Sequence, residues 1–119
     1  MNKNCIFCKI INREIPTKII FEDDKVIVFN DIHPIASTHI LIIPKKHIDS
    51  VNDLTENEKN EKLMGRLIIV AKKIAEKEGI AAKGYKLLIR TGKDGGQEVP
   101  HIHLHLIGGR VRKSESLSH

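Results

Sequence analysis

His101, His103 and His105 alternate with Ile102, Leu104 and Leu106 in a chain that has only seven histidines. On a strand, residues i, i+2 and i+4 share one face. The spacing therefore predicts a row of imidazoles facing a cleft or solvent, with an apolar row on the core side. Two chemistries suit such a row. Histidines two apart on a strand can hold Zn²⁺, and an open zinc site would activate water for hydrolysis. Alternatively, one imidazole attacks phosphorus while its neighbours bind phosphate and shuttle protons. A strand face that merely happens to be polar is the third reading, and three histidines in register argue against it. The preceding segment, GKDGGQEVP, brings Gly92, Gly95 and Gly96. These can turn backbone N–H groups inward as an anion nest, or simply close an ordinary hairpin. A glycine loop beside a histidine row favours phosphate, while Asp94 and Glu98 keep a carboxylate-assisted zinc site open.

The elements that must position these residues are readable from pattern. CIFCKIINREIP predicts a short helix burying Ile6, Phe7, Ile10 and Ile11 and ended by Pro16. Ile19–Phe21 and Val26–Phe29 predict a hairpin turned by EDDK. A strand over His39–Ile43 stops at Pro44. TENEKNEKLMGRLIIVAKKIAEKEG predicts one long helix, with a capping box from Thr55 and Glu58. Its apolar stripe reads Met64, Leu67, Ile68, Ala71, Ile74 and Ala75, and Gly79 follows its end. Strands in GYKLLIRT and HIHLHLI complete a single α+β domain over residues 1–119. Its antiparallel sheet has about five strands, with one long and one short helix packed on one side. Residues 1–4 and the polar tail 111–119 are expected to be flexible.

Composition narrows the partners. The net charge is +5, but aromatic residues are 3% of the chain, too few for a base-stacking platform. Nucleic-acid binding is therefore not expected. No apolar run reaches the length of a membrane span or a secretory leader. Cys5 and Cys8 form a single C-x-x-C, which without a leader is unlike a structural disulfide and fits a cytoplasmic protein.

The motif His101-Ile-His103-Leu-His105-Leu106-Ile107 resembles the signature of the histidine triad family. IFCKIINREIPTKIIFEDD, FNDIHPIASTHILIIPKKHI and GYKLLIRTGKDGGQEVPHIHLHLIGGR extend the resemblance over about residues 5 to 110. They are similar to the nucleotide-binding branch, the purine nucleoside phosphoramidases. The resemblance implies the histidine triad fold and metal-free cleavage of a purine nucleoside 5′-phosphoramidate. His103 would be the nucleophile, His105 would contact phosphate, and His39 would join their network. Asp31 and Ile32 would meet the ribose, with Phe7, Ile10, Phe29 and Leu41 around the base and Gly96, Gln97, Glu98 and Val99 in the loop at the phosphate. It also implies a homodimer built on the long helix and the strand before the glycine loop. Some bacterial members hold a structural zinc, which here would use Cys5, Cys8, His47 and His101; otherwise these cysteines are two buried thiols. Other branches hydrolyse dinucleoside polyphosphates, but with a proline and arginine after the triad where this chain has GGR. A regulatory nucleotide-binding protein with little turnover is a further reading. Three departures bear on leaving-group preference. Arg90 replaces an asparagine of animal members, Glu98 replaces a serine, and the tail lacks their tryptophan and prolines.

Overall fold

A computed structural model describes residues 2–111. The elements are α1 (Ile6–Ile11), β1 (Ile19–Glu22), β2 (Val26–Asn30), β3 (Ala36–Pro44), a 3₁₀ turn (Val51–Asp53), α2 (Glu58–Lys77), β4 (Tyr85–Leu88) and β5 (Leu104–Val111). The five strands form one sheet in the order β1-β2-β3-β5-β4, with every neighbouring pair antiparallel. The α+β architecture with one long and one short helix is as expected.

Local chemistry accounts for the elements. The Asp23 carboxylate accepts from the N–H groups of Lys25 and Val26 at 2.8 Å and closes the β1–β2 hairpin. Arg66 of α2 donates to the same carboxylate at 2.8 Å, tying hairpin to helix. The expected capping box does not form. Asn57 caps α2 by accepting from the Asn60 N–H at 2.9 Å, and Glu58 is the first helical residue, too early to act from the third position. Thr55 instead accepts from the side chains of Asn57 and Asn60. At the other end Gly79 adopts φ +76°, and the Ile80 N–H reaches back to the Ala75 carbonyl, the expected glycine terminus.

Three expectations are corrected. The helices lie on opposite faces of the sheet. Val26, Val28, Ile40 and Ile42 pack with Leu67, Val70 and Ile74 of α2. Ile27, Phe29, Leu41 and Ile43 pack with Phe7, Cys8 and Ile10 of α1. Second, the buried stripe of α2 runs through Leu67, Val70, Ala71, Ile74 and Ala75, while Ile68 is 52% exposed. Ile68 sits about 100° round the helix from Leu67, at the margin of the covered arc. In α1 likewise, Ile6 is exposed and Ile11 half-buried, and Cys8 takes the core position. Third, β3 extends past the expected strand at both ends, and β5 begins only at Leu104, so His101 and His103 precede it. Of the expected flexible ends, Met1 and 112–119 lie outside the described residues; Asn2, Lys3 and Asn4 are exposed. Among the described residues no helix is long and apolar enough to cross a membrane.

Candidate active site

The alternation read from the triad holds in space. Ile102, Leu104 and Leu106 join the core under α2. The imidazoles lie on the α1 face, but they do not face solvent: His39, His101, His103 and His105 are all buried. Phe7 of α1 covers them, its ring edge-on to His101 at 5.8 Å and to His103 at 5.1 Å. His103 and His105 lie 4.9 Å apart, ring centre to ring centre.

Backbone partners fix where each proton sits. His103 Nδ1 is 2.7 Å from the His101 carbonyl, which can only accept. The proton is therefore on Nδ1, and Nε2 carries a lone pair, the state a nucleophile needs. His39 Nδ1 accepts the Ile35 N–H at 3.1 Å, so its proton is on Nε2. That Nε2–H lies 2.9 Å from His105 Nδ1 and 3.3 Å from an Asp31 carboxylate oxygen. With His105 Nδ1 accepting, the His105 proton is on Nε2. This Nε2 is buried with no hydrogen-bond partner among the described residues. A buried unpaired donor is costly and marks a place where an acceptor from a ligand belongs.

Burial keeps these rings neutral. It is the main cause holding His105 down at about 3, with repulsion from His103, His39 and Arg90 adding to it. His39 and His103 are also lowered, again chiefly by burial. For His103 the His101 carbonyl and Asp31 oppose the shift.

A second cluster adjoins the first. One donor atom each from Cys5, Cys8, His47 and His101 lies within 4.8 Å of all the others. His101 donates its Nε2–H to the Pro44 carbonyl at 2.8 Å, which leaves its Nδ1 as an acceptor 3.3 Å from Cys5 Sγ and 3.7 Å from Cys8 Sγ. His47 pairs its Nε2 with Asp49 at 2.5 Å and turns its Nδ1 to Cys8 Sγ at 3.3 Å. Cys5 also caps α1, and burial raises its thiol pKa. Two sulfurs and two imidazole nitrogens converge, and each imidazole is oriented by a second hydrogen bond. That is the donor set and outer support of a tetrahedral zinc site.

The base-lining candidates Phe7, Ile10, Phe29 and Leu41 gather in one buried cluster with Val99 at its margin. Asp31 accepts the His33 N–H at 2.8 Å, a turn contact, and neighbouring Ile32 is 80% exposed. The glycine loop departs from expectation. The N–H groups of Gly92 and Gly96, two of the three glycines expected to form a nest, bond within the loop, as does that of Gln97, which is the behaviour of an ordinary loop. Gln97 braces it, donating its side-chain amide to the carbonyls of Asp49 and Val99 and accepting from Gly92. The charge of Glu98 acts on His103, and Arg90 lies across the loop. Sequence reading missed Ile35, Pro44 and Asp49. The first two act through backbone groups that every residue type carries, while Asp49 two residues after His47 was a readable partner.

Comparison with known proteins adds the family. The HIT domain matches residues 12–112. The chain is a HIT-domain protein. This HIT chain is 56% identical over 110 residues to the purine nucleoside phosphoramidase of Escherichia coli (strain K12), covering 92% of this chain and 91% of the relative. Its fold is similar to a HIT family hydrolase from Legionella pneumophila Philadelphia 1, with TM-score 0.85 and 51% identity over 90% of this chain and 94% of that one. A histidine triad protein from Clostridium difficile matches with TM-score 0.86 and 43% identity, covering 92% and 94%.

Proposed function

We propose that this HIT protein hydrolyses the P–N bond of purine nucleoside 5′-phosphoramidates. The observation that carries the reading is the buried, unpartnered Nε2–H of His105 beside His103, whose Nε2 bears a lone pair. His103 attacks phosphorus as the P–N bond breaks, and the amine leaves with a proton from water. The His105 Nε2–H, ordered through His39 and the Ile35 N–H, donates to a phosphoryl oxygen. Water then displaces His103 from the nucleotidyl-histidine and releases a nucleoside monophosphate. Asp31 and Ile32 stand at the ribose, with Phe7, Ile10, Phe29 and Leu41 toward the base and the loop Gly96–Val99 near the phosphate. The name and 56% identity of the Escherichia coli relative support the assignment.

Catalysis in this reading needs no metal. Zinc is instead structural, held by Cys5, Cys8, His47 and His101, and would staple α1 to the segment before β5. A homodimer across β4, whose outer edge has no strand neighbour among the described residues, and a cytoplasmic location that keeps Cys5 and Cys8 reduced complete the proposal.

Turnover of an adenosine phosphoramidate beside a diadenosine polyphosphate, with and without a strong chelator, tests it. Phosphoramidate cleavage that survives chelation per folded molecule, with one zinc per chain lost in Cys5→Ser, is the expected result. Cleavage of the polyphosphate alone, binding with no turnover, or turnover restored only by Zn²⁺ would overturn the reading of the reaction. Metal-free protein as purified would remove the zinc.

A further inference from the structure

His103 stands on a stretch of chain that the sheet does not hold. The ladder between β3 and β5 ends with Ile42 opposite Leu104, so segment 99–103 carries His101 and His103 outside it. Bonds to segment 44–49 take the place of the ladder. His101 donates its Nε2–H to the Pro44 carbonyl, and the Ile102 N–H donates to the Ile48 carbonyl at 2.7 Å. The second of these bears directly on His103. The Ile102 N–H and the His101 carbonyl belong to one planar peptide and point in opposite directions. Anchoring that N–H to Ile48 therefore aims the carbonyl, which accepts from His103 Nδ1 at 2.7 Å. On the preceding side, the His101 N–H donates to the Val99 carbonyl at 2.8 Å. The side chain of Gln97 grips both supports. Its amide donates to the Asp49 carbonyl at 2.6 Å, one residue on from Ile48, and to the Val99 carbonyl at 3.0 Å. Its oxygen accepts the Gly92 N–H at 3.0 Å. Carbonyls only accept and N–H groups only donate, so the orientation of the amide is fixed and both of its N–H groups are used. Neither is left over for a phosphoryl oxygen.

We propose that Gln97 is a positioning residue for His103. It fixes the peptide whose carbonyl holds the proton on His103 Nδ1, and so keeps the Nε2 lone pair free and correctly placed for attack. The catalytic meaning rests on the phosphoramidase reading above; the control of the His103 ring and its tautomer does not. The reaction itself is unchanged. The accepted bond from Gly92 closes the glycine loop, while the two donated bonds position the nucleophile, and substitution separates the two jobs. Gln97→Glu still offers an oxygen to the Gly92 N–H, but it sets oxygen against the Asp49 and Val99 carbonyls. Gln97→Met, of similar length, removes all three bonds.

Both variants are compared with wild type in the full-length protein, at a temperature well below each melting point. An adenosine phosphoramidate gives kcat and KM. Imidazole ¹⁵N spectra at about pH 8, where the neutral ring prevails, give the tautomer of His103, whose signals are identified by their loss in His103→Gln. Wild type is expected to hold His103 in the Nδ1–H form. Both variants should show a mixture of the two tautomers and lose about 10–100-fold in kcat, with KM within about threefold of wild type. Gln97→Glu serves alone if Gln97→Met fails to fold. A tautomer that shifts in Gln97→Glu, in a protein whose wild type cleaves no phosphoramidate, keeps the positioning role and sinks the reaction. Gln97→Glu that matches wild type would show that closing the loop through Gly92 is all the side chain does. A loss confined to KM would show a direct contact with the ligand. Either result overturns the proposal, as does a His103 tautomer unmoved in both variants.

Discussion

The two faces of the sheet are made by the same strands and differ in almost every chemical respect. Under α2 the strands present Val26, Val28, Ile40, Ile42, Leu104 and Leu106 to Leu67, Val70 and Ile74. The fully buried residues of that core are all aliphatic. Under α1 the alternate residues of the same strands present Ile27, Phe29, Leu41 and Ile43, joined by Cys5, Cys8 and four buried histidines. Burying an imidazole is costly unless its nitrogens are satisfied. Here backbone carbonyls, an amide N–H, thiols and neighbouring rings satisfy most of them, and His105 Nε2 is buried without a partner among the described residues. One side of the sheet therefore supplies stability cheaply, and the other holds groups in states that are useful only with a ligand. The lesson is that stability and chemistry in this domain should be separable by substitution.

The sharpest break is His103→Ala. Removing the attacking nitrogen should cost about 10³-fold or more in phosphoramidate turnover per folded molecule, measured in the steady state. A loss within about tenfold would remove the distinction between the faces. Leu67→Ala is the mirror experiment. Leu67 is fully buried in the α2 face, so denaturant unfolding should show a loss of about 2–5 kcal/mol. Turnover per folded molecule should hold within about twofold, and a parallel fall in activity would show that the faces are coupled.

An acid titration probes the same division without mutation. His105 stays neutral in the folded protein down to about 3, whereas an ordinary histidine takes its proton near 6.5. Between those limits the unfolded chain binds more protons, so stability falls as pH drops through that window. The slope from this one group reaches about 1.4 kcal/mol per pH unit. Thermal melts from pH 7 to 4 should show the decline, and His105→Asn should make it shallower, because His39, His101 and His103 are lowered by burial as well and supply the rest. The smallest effect is expected from Ile68→Lys. Ile68 adjoins Leu67 in sequence yet is exposed, and its replacement should change stability by no more than about 0.5 kcal/mol in the same unfolding assay.

These residues also show what pattern reveals. The hairpin, the long helix and the inward and outward alternation around Leu104 and Leu106 were legible, because period two and period 3.6 are direct consequences of backbone geometry. The opposed helices were legible too, had the unbroken apolar runs VIVF in β2 and ILII in β3 been read as strands covered on both faces. The delayed start of β5 was harder to read. Pro100 has no N–H to give a ladder, and the His101 N–H turns back to the Val99 carbonyl. Within the site, residue types announced the histidines and cysteines, and Asn57 competed unseen with Thr55 for the cap. The tautomers could not be read at all, since the Ile35 N–H and the Pro44 and His101 carbonyls that set them look alike at every position.

The sheet order has a consequence for biosynthesis. β3 lies between β2 and β5, and its His39 meets a partner 66 residues downstream. As the chain leaves the ribosome, the β1–β2–β3 meander and then α2 can assemble from near neighbours, while the far edge of β3 stays open. Only when β5 emerges is that edge closed and β4 given a partner. Pairing across so long a separation is slow, and an open strand edge is an invitation to other chains meanwhile. The nascent protein therefore passes through its most aggregation-prone interval while still inert, and the strand that ends this interval is the one that brings His105.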